Sequence, residues 1–182
     1  MEKMLFYYHI LTEILAKIIL GFASLIVGLN VASLFVEAVS RYLLGSSRAF
    51  MEEFPRLMVP FIIFPMMGVL LKAGKHIHVE LLPQKLKGQK KSVLMIVVYS
   101  IVLVVAVQFF SAGTAAVLYF KMMGLTSITE WPFPMWWVYV TFPLGFALLI
   151  IFDLELLLQE AWSLYGARQK KRHHRSQGEA VL

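Results

Sequence analysis

Charged residues of the kind that could do chemistry gather in one stretch, residues 41–80, RYLLGSSRAFMEEFPRLMVPFIIFPMMGVLLKAGKHIHVE. Glu52 and Glu53 stand side by side, and Arg56 follows four and three positions later. On a helix both spacings share a face, with acid before base, which is the favourable order for pairing. Glu37 and Arg41, also four apart, repeat the arrangement just upstream. The chemistry this suits is ion pairing, in one network of Glu37, Arg41, Glu52, Glu53 and Arg56. Catalytic chemistry has little to work with. There is no cysteine, which excludes disulfides, thiolate metal sites and cysteine nucleophiles. His76 and His78 are two apart, a poor spacing for one helical face. No Gly-rich phosphate loop and no nucleophile elbow occurs. No catalytic residue, cofactor or metal site is expected.

The elements that must position these charges are membrane spans. The chain has 182 residues, 59% hydrophobic and only 15% charged, more apolar surface than a soluble domain of this size can cover. Four apolar segments, near residues 18–40, 54–71, 93–120 and 136–158, each approach the roughly 20 residues that cross a bilayer. They are continuously apolar and do not alternate, so helices are expected and not a barrel. The expected fold is all-α: four transmembrane helices in residues 1–165, then a basic, flexible tail over 166–182. No cleavable signal peptide is read at the amino end, which reads either as an interfacial helix or as an inward extension of the first span. Residues 77–86 suit a short interfacial segment after the second span.

Charge sets the expected orientation. The connection after the second span carries Lys72, Lys75, Lys85, Lys87, Lys90 and Lys91, and the tail carries Arg168, Lys170, Lys171, Arg172 and Arg175. Positive connections stay in the cytoplasm, so both termini belong inside. The net charge of +6 is mainly this signal. Nucleic-acid binding is not expected, because no folded basic domain exists to carry it. Trp131, Trp136, Trp137 and Tyr139 mark the outer headgroup level. Arg48, Glu130 and Trp131, in the outer connections, are candidates for docking a partner.

The polar inventory of the spans is short. Asn30 and Gln108 read as amides that bond to a neighbouring helix, while Glu37 and Asp153 fall near span ends. Ser24, Gly28 and Ala32 form one small-residue face, and residues 111–116 form a second patch. Pro55 suits a first helical turn, and Pro60 and Pro65 should kink the second span or free its carbonyls. No internal repeat of the kind autonomous secondary transporters show is present.

These residues resemble the small membrane subunit, the DctQ-like component, of tripartite ATP-independent periplasmic (TRAP) transporters. The match runs through Phe50, Glu52, Glu53, Arg56, Phe61, Lys72, Gly74, His76, Ile77, Val79 and Glu80, with Arg41 after the first span. The departures are phenylalanine for tryptophan at 50 and 61, lysine for arginine at 72, glutamate for aspartate at 80, and Met66 where glycine is common. The last puts a close helix contact there in question. The resemblance implies a bacterial inner-membrane subunit with two partners: a large DctM-like membrane subunit that carries the sodium and substrate sites, and a soluble periplasmic DctP-like binding protein. It further implies sodium-driven uptake of an organic anion such as a carboxylate, sialic acid or sulfonate, with this chain as scaffold and not as an enzyme. Two other readings compete with it. One is an independent four-helix transporter or channel; the other is a small membrane enzyme or electron carrier.

Overall fold

The computed structural model describes residues 2–45, 49–73, 89–127 and 132–179. Five helices follow in order: α1 (Glu2–Leu44), α2 (Ala49–Lys72), α3 (Gln89–Met123), the short α4 (Trp136–Tyr139) and α5 (Thr141–Glu179). Four of them are long and apolar enough to cross a membrane, over Leu5–Leu43, Glu53–Lys72, Lys91–Met123 and Trp136–Tyr165. Four crossings bring the two ends of the chain to the same side of the bundle. This near end also carries the α2–α3 connection. The far end carries the α1–α2 and α3–α5 connections.

The helices form a row, α1, α2, α5, α3. α5 packs against both α2 and α3, and α1 lies along α2 and touches α5. Among the described residues α2 and α3 make no close backbone approach to each other. The core lies around α5, where Phe146 and Leu149 meet Ala106 of α3 and Met67 and Leu71 of α2. Small residues let the backbones close. A Cβ on Gly145 would fall 2.5 Å from Phe64 Cβ, and one on Gly68 would fall 2.5 Å from the Phe152 ring. Met66 leaves that approach intact, because Gly68 supplies the close contact two residues later. At the far end, Gly45 and Gly124 follow α1 and α3 at φ +64° and +62°, the left-handed conformation that stops a helix.

Several sequence expectations change here. α1 starts at Glu2 without a break, so the amino end continues the helix of the first span. α2 starts at Ala49, which puts Pro55 inside the helix along with Pro60 and Pro65, not in its first turn. α5 runs on as helix through the basic segment to Glu179. Asp153 is fully buried in the bundle, not set near a span end. Gln108 is exposed, and Asn30 is buried with its amide oxygen unbonded among the described residues. The segment of residues 77–86 lies outside the described residues.

The seam of α1 is narrow. Its buried positions are Thr12, Ile19, Ala23, Ile26, Asn30 and Glu37, spaced by sevens, fours and threes as in a coiled-coil stripe. Most of its other large side chains, among them Leu25, Leu29 and Phe35, are exposed. The face of Ser24, Gly28 and Ala32 is exposed as well, and a Cβ on Gly28 would meet nothing within 4 Å. The second small-residue patch is used internally at Gly113, which admits Phe142.

Candidate functional site: two polar ends of the bundle

The near end holds a buried polar node that joins three helices. Its centre is Glu155 of α5, whose side chain is 1% exposed. Lys72, the last residue of α2, donates from Nζ to Glu155 Oε1 at 3.2 Å. It also approaches Oε2 at 3.1 Å, without the alignment of a second hydrogen bond. Gln159, one turn further along α5, donates to Oε1 at 3.1 Å. His9 of α1 lies with Nδ1 2.7 Å from the same oxygen, within hydrogen-bond distance.

Thr12 completes the node. Lys72 Nζ donates to Thr12 Oγ1 at 2.7 Å. The Thr12 hydroxyl donates in turn to its own helix, to the carbonyls of Tyr8 at 3.1 Å and His9 at 2.9 Å. Tyr8 adds a direct tie, its hydroxyl donating to the Ile151 carbonyl of α5 at 2.8 Å. Glu13 stands 3.9 Å from Lys72, and the Phe152 ring lies 6.0 Å below it. Burying a carboxylate is costly unless it is paired and hydrogen-bonded, and Glu155 has a cation and two further polar groups on Oε1, while Oε2 has only the nearby ammonium. The node therefore fixes the last turn of α2 against α1 and α5. Lys72 is the one described residue of the near-end motif. Gly74, His76 and Glu80 themselves lie outside the described residues.

The far end holds the charges read from the sequence. Glu37 is buried and accepts from Arg41 one turn later. The pair lines a hollow of about 440 Å³ with Ala38 and Tyr42. Glu53 and Arg56 line a second hollow of about 380 Å³. It opens where α2 and α3 diverge, and its other walls are Phe120 and the connection that follows α3. The Glu37–Arg41 pair and the charges Glu53 and Arg56 thus lie at one end of the bundle but line separate hollows, not one network. Phe61 is half-buried on α2. Phe50 and Glu52 lie in the first turns of α2, and their side chains are not described. Arg48, Glu130 and Trp131 lie outside the described residues.

Aromatic rings tie the far end together. Phe120 stacks on Tyr139 with centroids 4.0 Å apart, Trp136 packs edge-on to Trp137, and Lys121 lies 5.5 Å over the Trp136 ring. Trp137 stays exposed at the level where headgroups lie.

Sequence reasoning found the far-end charges and missed the near-end node. Glu155 sits among leucines far beyond the charges of the second span, and no local spacing links it to Lys72 or Thr12. Its signal was the acid itself: a carboxylate inside an apolar span requires a partner.

No curated protein matches the chain at a significant level. A family model does match, described as "Tripartite ATP-independent periplasmic transporters, DctQ component", over residues 30–162. That stretch takes in the Glu37–Arg41 pair of α1, Glu53 and Arg56 of α2, Lys72, and the Glu155 that answers it. The chain belongs to the DctQ family and is a small membrane subunit of a TRAP transporter.

Proposed function

We propose that this subunit is a scaffold for a large DctM-like transport subunit, working with a periplasmic DctP-like binding protein in sodium-driven uptake of an organic anion such as a carboxylate, sialic acid or sulfonate. It resides in the bacterial inner membrane with both termini in the cytoplasm. Glu37, Arg41, Glu52, Glu53 and Arg56 hold the outer ends of α1 and α2, and Arg48, Glu130 and Trp131 lie where the binding protein arrives.

The observation that carries this reading is the exposed face of α1. The charge-free middle of this helix, residues 18–36, is long enough for one crossing of the bilayer. Leu25, Leu29 and Phe35 stay exposed along it, as does the small-residue face of Ser24, Gly28 and Ala32, where another membrane helix can approach closely. Within the chain, α2 takes only a narrow seam of α1. A second membrane protein accounts for the remainder, and a fixed scaffold pinned by the Lys72–Glu155 node is a suitable support for it.

The test is assembly. Gly28→Leu places a bulky side chain on the exposed small-residue face, where nothing in this chain lies within reach. The variant should fold alone with unchanged thermal stability and co-purify poorly with the large subunit. Undiminished co-purification of Gly28→Leu, together with no crosslink from any exposed α1 position to the large subunit, would remove α1 as the docking helix.

A further inference from the structure

The far-end hollow has the chemistry of a site for a lipid headgroup. Glu53 and Arg56 present one acid and one base along the same face of α2. Thr126 and Ser127 stand on the other wall, and Leu57 and Phe120 supply apolar surface between them. The wall opposite α2 is fixed. Ser127 N–H donates to the Phe133 carbonyl at 2.9 Å, and Met135 N–H donates to the Leu125 carbonyl at 3.0 Å. Thr126 and Pro134 form an antiparallel bridge, and the Phe120 ring is held by its stack on Tyr139. Filling such a hollow requires little new ordering of the chain.

Depth points to the occupant. The charge-free run of α2 begins after Arg56 and that of α3 ends before Lys121, so the hollow opens at the membrane boundary. Trp136 and Trp137 mark the same level. A hollow here that no protein covers faces phospholipid headgroups. We propose that it binds the headgroup of a zwitterionic aminophospholipid, with the phosphate on Arg56, the primary ammonium on Glu53, and the start of the acyl chains over Leu57 and Phe120.

The two charges select among headgroups. A guanidinium fork matches phosphate oxygens. A carboxylate accepts hydrogen bonds from a primary ammonium but none from a choline, which has no N–H to give. A glycerol headgroup brings the same phosphate to Arg56 but offers Glu53 only neutral hydroxyls and no cation. The proposal is independent of the scaffold reading, since it needs only this chain and its membrane.

The test is lipid retention by the full chain, purified in mild detergent and measured by native mass spectrometry with phosphatidylethanolamine, phosphatidylcholine and phosphatidylglycerol at equal dose. Phosphatidylethanolamine should be retained best. Arg56→Gln should lower retention of the ethanolamine and glycerol lipids together, by about two- to fivefold, the scale of an exposed ion pair. Glu53→Gln should lower only the preference for ethanolamine over glycerol, by a similar factor. Ser127→Trp fills the hollow without changing either charge and should release the lipid in a chain that still folds. Free glycerophosphoethanolamine should compete weakly, because it lacks the acyl chains. An unchanged lipid ranking in all three variants would overturn the proposal. So would a complex in which Ser127→Cys crosslinks to the large subunit while no lipid is retained, because a protein then fills the hollow.

Discussion

Lys72 and Glu155 meet at 3.1 Å across the near end of the bundle, 83 residues apart in sequence, with the lysine side chain 12% and the glutamate 1% exposed. The contact closes α2 onto α5, and Thr12 brings α1 into the same bond network. Lys72 stands where the family pattern has arginine. A cation at this helix end pairs with a carboxylate buried on α5.

Removing only the cation should therefore be worse than removing both charges. Breaking one side of a buried pair costs about 3–5 kcal/mol, whereas an apolar pair of similar volume is often tolerated. Lys72→Met should lower the thermal unfolding temperature in detergent toward the smaller end of that range, since His9 and Gln159 remain on Glu155. Lys72→Met with Glu155→Met should recover much of the loss, and Lys72→Arg should stay near wild type. Equal destabilisation by the single and double variants would show that the pair is not coupled.

Gly145 gives a contrast in packing. A Cβ there would lie 2.5 Å from Phe64 Cβ and 2.6 Å from its carbonyl carbon and oxygen, atoms that cannot step aside. Gly145→Ala should destabilise the chain by about 1–3 kcal/mol through overpacking. Gly28→Ala, with open space around it, should be neutral or slightly stabilising. Thermal unfolding of the two variants side by side separates a helix contact inside the chain from a free face.

Much of the fold was legible because lipid imposes a simple rule: a run of about 20 apolar residues is a helix. All four spans followed from it. The boundaries were less legible. The rule sees the bilayer's share of a helix, so α1 was expected from residue 18 although its helix starts at Glu2. In α2, Pro60 and Pro65 lie inside the helix as expected, while Pro55 lies beyond the first turn because the helix starts earlier, at Ala49. At the site, pairs a turn apart could be read directly, as Glu37 with Arg41. Pairs between helices could not: Lys72 with Glu155 depends on helix order in the row, which a single sequence does not carry.

Orientation is a separate prediction. The lysines of the α2–α3 connection and the basic tail place both termini in the cytoplasm. Single substitutions Ser47→Cys, Gln89→Cys, Thr126→Cys and Ser176→Cys in this cysteine-free chain can be probed with an impermeant thiol reagent in intact cells. Ser47→Cys and Thr126→Cys should label, and the other two should not. Strong labelling of Gln89→Cys would invert the topology.

The most direct measurement is uptake in proteoliposomes under a sodium gradient. With this chain alone, no organic anion should accumulate. With the large subunit and the binding protein added, uptake should appear, and omitting this chain from that mixture should abolish it. Substrate-specific flux through the lone chain, or full uptake without it, would contradict the scaffold account.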